Sequence, residues 1–121
     1  DSWQRVASMP RGRYYHAAAA MGGKIYVTGG LMQGTSDSVY VYDPQADAWT
    51  QLASMSTTRR CHASAAMGGK LYVFGGHGTG GLEGPPPGGT GTAEVYDPAS
   101  DSWAQGLSLT AVRETPVAVA L

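Results

Sequence analysis

Short apolar runs broken by glycine, proline and aspartate set the rhythm of this 121-residue chain. Lys24–Thr28 and Lys70–Phe74 hold the β-branched and aromatic residues of a buried strand. Each ends in a glycine pair, Gly29-Gly30 and Gly75-Gly76. Ahead of them lie alanine-rich runs, about Tyr15–Met21 and about Cys61–Met67, whose small side chains suit a place where strands converge. Met-Gly-Gly-Lys joins each alanine run to its successor as a tight hairpin, with glycine supplying the positive φ. A third strand is predicted over Ser38–Tyr42 and about Thr92–Tyr96, closing in Tyr-Asp-Pro. Proline there fixes φ and aspartate caps its own backbone, which makes a turn. The fourth strand carries Trp49 or Trp103.

The two sets are copies of one unit. Trp3 to Gly30 maps without a gap onto Trp49 to Gly76, with 17 identities in 28 positions, among them Arg13/Arg59 and His16/His62. Tyr42-Asp43-Pro44 through Trp49 then recurs as Tyr96-Asp97-Pro98 through Trp103, shifted by 54 rather than 46. The eight extra residues fall in a Gly/Pro-rich stretch over 77–92 that cannot pair as a strand and reads as a long surface loop. Four antiparallel strands every 46 to 54 residues is the arithmetic of a propeller blade.

At this point the chain resembles the kelch-repeat family, whose hallmarks are a double glycine after a hydrophobic strand and then a Tyr and a Trp. Gly29, Gly30, Tyr42 and Trp49 fit that pattern, as do Gly75, Gly76, Tyr96 and Trp103. The resemblance implies an all-β fold of kelch-type β-propeller blades, here a partial propeller of two full blades with partial ones at either end. These eight residues read as structural. Double glycine lets backbones approach closely, and the aromatic rings fill the wedge between blades.

The expected division follows. Residues 1–12 carry the outer strand of a preceding blade and a connection, 13–58 one complete blade, and 59–112 a second with the insertion 77–92. Residues 113–121 are an inner strand, in the manner of the ring-closing strand that kelch chains often place last. Propellers close with about four to eight blades, so the remaining blades of a larger ring, or neighbouring chains, are expected partners.

Composition narrows the function. A net charge of −1 gives no electrostatic footprint for nucleic acid or an anionic membrane surface. No apolar run approaches the roughly 18 residues of a membrane span. The single cysteine, Cys61, excludes an intrachain disulfide and a Cys-rich metal site, and fits a reducing, cytoplasmic compartment.

No catalytic residue, metal site or cofactor emerges. His16, His62 and His77 are the only imidazoles, and His16 and His62 hold equivalent positions that a ring rotation is expected to separate. Cys61 and His62, adjacent on a strand, point to opposite faces. Phosphate-loop, serine-nucleophile and zinc-finger spacings are missing.

The rim remains. In kelch substrate adaptors the Arg just before an inner strand projects into the central funnel and pairs with acidic peptide. By that resemblance Arg13, Arg59 and Arg113 are candidate partner-binding residues, flanked by Tyr14, Tyr15 and Arg60. Leu31, Met32 and Gln33 would line the same mouth. The planar guanidinium suits carboxylates, and the aromatic rings add stacking area. The expected function is a protein–protein interaction or scaffold module, serving substrate recognition for a cullin-based ubiquitin ligase or cytoskeletal binding. The rival is a fragment of a kelch-fold enzyme, such as a copper oxidase or sugar mutarotase.

Overall fold

The computed structural model describes residues 1–78, 91–110 and 116–119. Eight strands form two four-stranded antiparallel sheets, each in sequential order. The first holds β1 (Ala17–Met21), β2 (Lys24–Thr28), β3 (Val39–Asp43) and β4 (Ala48–Leu52). The second holds β5 (Ala63–Met67), β6 (Lys70–Phe74), β7 (Ala93–Asp97) and β8 (Ser102–Gln105). Among the described residues there is no helix. The β1–β2 hairpin turns on Gly22 and Gly23, with φ of 58° and 75°, the two positive values a type I′ turn requires.

The inner strands β1 and β5 begin two residues later than the pattern predicts. Tyr15 and Cys61 sit at equivalent positions with φ of 57° and 52°, a left-handed backbone that cannot continue a strand. The bend turns the Tyr15 carbonyl towards the second blade, where it accepts the Cys61 N–H at 2.8 Å.

Alternation then decides what lies between the blades. Tyr26 and Val41 are register partners on one face of the first blade, and Leu71 and Tyr96 are partners on the facing side of the second. These four form one buried cluster, with Ala19, Met21, Leu52 and Trp103 packed at its border. A second cluster joins Val39, Met55 and Val73 nearer the rim. Burying a leucine or valine side chain is worth about 1.5–3 kcal/mol. This seam is therefore the main hydrophobic contribution to holding the blades together.

Each Tyr/Trp pair also fastens a connecting segment. The Trp103 indole N–H donates to the Ala53 carbonyl at 2.8 Å, and Asp101 Oδ1 accepts from the Ala53 N–H and the Tyr96 hydroxyl. Trp49, Asp47 and Tyr42 hold Ala7 in the same way. The aspartates are a repeated element that the glycine, tyrosine and tryptophan hallmarks leave out.

Residues 1–12 lie against the first blade, and none of them is in a strand. Trp3, the counterpart of Trp49, is fully exposed. In the expected inner strand 113–121 only residues 116–119 are described, and none is paired into a sheet. Pro116 has no N–H to give a ladder. Of the 77–92 insertion, residues 79–90 lie outside the described residues.

Candidate functional site

The rim is built where each inner strand is entered, residues 11–16 and 57–62, and where each double glycine leaves the second strand. Gly29 and Gly30, with φ of 59° and 100°, bring this crossing into contact. A Cβ on Gly29 would collide with the Arg59 carbonyl oxygen and the His62 ring, and one on Gly30 would lie 2.9 Å from the Tyr14 carbonyl oxygen. The Gly30 N–H donates to the Arg59 carbonyl at 2.8 Å, and Tyr14 and Leu31 exchange a pair of backbone hydrogen bonds.

The candidate arginines have different fates. Arg59 is 0% exposed, which removes it from any docking surface. Its Nη1 donates to the carbonyls of Gly75 and Thr92, its Nη2 to Thr92 Oγ1 and Glu94 Oε2, and its Nε to Glu94 Oε2. All five N–H donors are satisfied inside the fold, so Arg59 is a structural residue. Glu94 completes the arrangement by accepting from the Ser56 N–H and hydroxyl through Oε1.

Arg13 holds the equivalent place in the first blade, but Tyr40 stands where the second blade has Glu94, and Pro10 where it has Ser56. The acid and both of its other donors are replaced together. Arg13 Nη1 still donates to the Gly29 carbonyl and Ser38 Oγ, and its guanidinium stacks 5.0 Å from the Tyr40 ring centre. Its Nε and Nη2 are shielded yet find no acceptor among the described residues. Burial pushes its pKa below the usual arginine range, the Tyr40 interaction opposes that, and nearby Arg11 adds a smaller lowering.

Arg60 is also buried, contrary to its expected place on the docking surface; its Nη1 donates to Thr35 Oγ1 at 2.7 Å, tying the second blade's entry to the first blade's loop. Arg113 lies outside the described residues. Tyr14 and Tyr15 are half-exposed and meet edge to face, with ring centres 4.9 Å apart. Of the expected mouth residues, Leu31 is buried, Met32 half-buried and Gln33 exposed. A shallow recess of about 230 Å³ lies between Arg11 and the loop from Met32 to Asp37.

His62 is built into the seam. His62 Nε2 lies 2.7 Å from Thr28 Oγ1 in the buried seam. Burial first, then the Arg59 charge and then His16, lower its pKa to about 3, so the ring is neutral in the fold. Burial and Arg13 likewise lower His16. Among the described residues, no three His, Cys, Asp or Glu side chains gather to hold a metal ion.

The family model described as the Kelch motif matches residues 12–56 and 58–106. The chain belongs to the kelch-repeat family. Those two matches contain the two kelch blades seen here. The chain also matches 139 chains of solved structures. One, described as the structure of YjhT, superposes with a TM-score of 0.79 at 19% identity, over 90% of this chain and 42% of that one. The kelch chain thus spans less than half of that structure, and the likeness speaks to fold alone. No curated protein matches the chain.

Proposed function

We infer that this pair of kelch blades is a protein–protein interaction module that engages its partner at the rim of the first blade. The observation that carries the reading is the half-exposed Tyr14–Tyr15 pair, held beside Arg13 on a backbone bent left-handed at Tyr15. Tyrosines add contact area at low entropic cost, and tyrosine and arginine are the residue types that dominate binding hot spots. The half-buried Arg13 guanidinium sets a positive charge beside this pair, so the partner surface is a protein segment bearing acidic side chains. Substrate recognition for a cullin-based ubiquitin ligase and cytoskeletal binding both use such a module, and both place it in the cytoplasm.

The test is retention of the purified chain on an array of acidic peptides. The wild type binds, and joint Tyr14→Ala and Tyr15→Ala substitution lowers retention about tenfold or more at unchanged thermal midpoint. Equal retention by the double variant contradicts the reading.

A further inference from the structure

One serine on the approach to the first blade differs from its repeat counterpart in a single telling neighbour. Arg5-Val6-Ala7-Ser8-Met9 aligns with Gln51-Leu52-Ala53-Ser54-Met55, so both serines stand between an alanine and a methionine. Only Ser8 has an arginine three residues before it, and no other serine or threonine of the chain has one.

The fold presents this serine to solvent. Ala7 is half-buried and held through both backbone groups: its N–H donates to Asp47 Oδ1 at 2.8 Å, and its carbonyl accepts the Trp49 indole N–H at 2.9 Å. Met9 is half-buried as well, and Ser8 between them is exposed. The repeat shows that this exposure belongs to the position. Ser54 follows Ala53, which Asp101 and Trp103 of the second blade hold, and it is exposed too. Gln51, the counterpart of Arg5, is likewise exposed.

The surroundings fit an enzyme that reads charge. Residues 5–9 pair with no strand, so their backbone is open to capture in an extended form by another protein's cleft. Arg5 is exposed and takes part in none of the ion pairs among the described residues. Residues 5–13 carry Arg5, Arg11 and Arg13 and no acid.

We propose that Ser8 is a phosphate-acceptor site for an arginine-directed protein kinase. Acidic side chains in the kinase cleft take the Arg5 guanidinium, which sets the Ser8 hydroxyl against the γ-phosphorus of a nucleoside triphosphate. The bond from Ser8 Oγ to phosphorus forms as the bond from that phosphorus to its bridging oxygen breaks. The hydroxyl proton passes to a carboxylate of the kinase, and the nucleoside diphosphate leaves. The product adds a charge of about −1.5 to −2 midway between Arg5 and Arg11, in a stretch that is otherwise only positive.

The test incubates the folded 121-residue chain with ATP and the catalytic subunit of cyclic-AMP-dependent protein kinase, an arginine-directed enzyme. Intact mass and peptide mapping follow the phosphate. The wild type gains one phosphate, on Ser8, and Ser8→Ala gains none. Arg5→Gln, which copies the second repeat, slows the transfer about tenfold or more, as loss of a charge-assisted contact does. Both side chains are exposed, so neither substitution unfolds the chain, which circular dichroism verifies. A folded wild type that takes up no phosphate overturns the proposal. Phosphate on Ser54 at a rate equal to Ser8, or transfer to Ser8 that ignores Arg5→Gln, overturns it too.

Discussion

Arg59 donates to Glu94 Oε2 through both Nε and Nη2, at 3.2 and 2.9 Å, and neither side chain reaches solvent. A buried pair of this kind is costly to break, because removal of one partner strands the other charge without water. Glu94→Ala therefore lowers unfolding free energy by about 3–5 kcal/mol, read from urea denaturation. The first blade holds its arginine with the Gly29 carbonyl, Ser38 and the Tyr40 ring instead, and has Pro10 where the second has Ser56. Glu94→Tyr combined with Ser56→Pro thus costs less than Glu94→Tyr alone, since the second change removes donors left without an acceptor. A double variant less stable than the single one would show that the two blades' solutions are not interchangeable.

The three tryptophans divide by what stands beside them. Trp103 packs on Tyr96, with ring centres 5.2 Å apart, and its N–H holds the Ala53 carbonyl. Trp103→Ala costs about 3–5 kcal/mol. Trp3→Ala, at a fully exposed site, changes stability by less than about 0.5 kcal/mol. Thermal denaturation of both variants checks the contrast, and similar losses would contradict the placement of residues 1–12.

Strand positions were legible from alternation alone, and β2 and β6 fall where the pattern puts them. The late start of β1 and β5 was not, because nothing about Tyr15 or Cys61 as residue types announces a positive φ. The rim was only half legible. Arg13 and Arg59 look alike in the repeat, yet one is sealed by an acid 35 residues away and the other is not. A signal existed: Glu94 stands mid-strand where the first repeat has Tyr40, and a carboxylate at an inward position calls for a buried cation.

His62 gives the fold an acid sensitivity. Its pKa falls from the ordinary 6.5 to about 3 on folding, so the unfolded chain binds the proton more readily. Stability is then fully present above about pH 6.5 and is lost as pH falls from there towards 3. At pH 5 this site removes about 2 kcal/mol relative to pH 7. His16, also lowered, adds to the same slope, so His62→Gln retains only a shallower dependence. Urea midpoints at the two pH values measure it, and parallel slopes for wild type and variant would contradict the assignment.

The most direct test of the two-blade seam is the contact between Tyr26 and Tyr96, 70 residues apart in sequence, whose ring centres lie 6.2 Å apart. Nuclear Overhauser spectra of the chain with labelled tyrosines should show cross-peaks between these rings and from Tyr96 to Val41. If both rings instead show contacts only within their own sheets, the blades do not pack as described and the account fails.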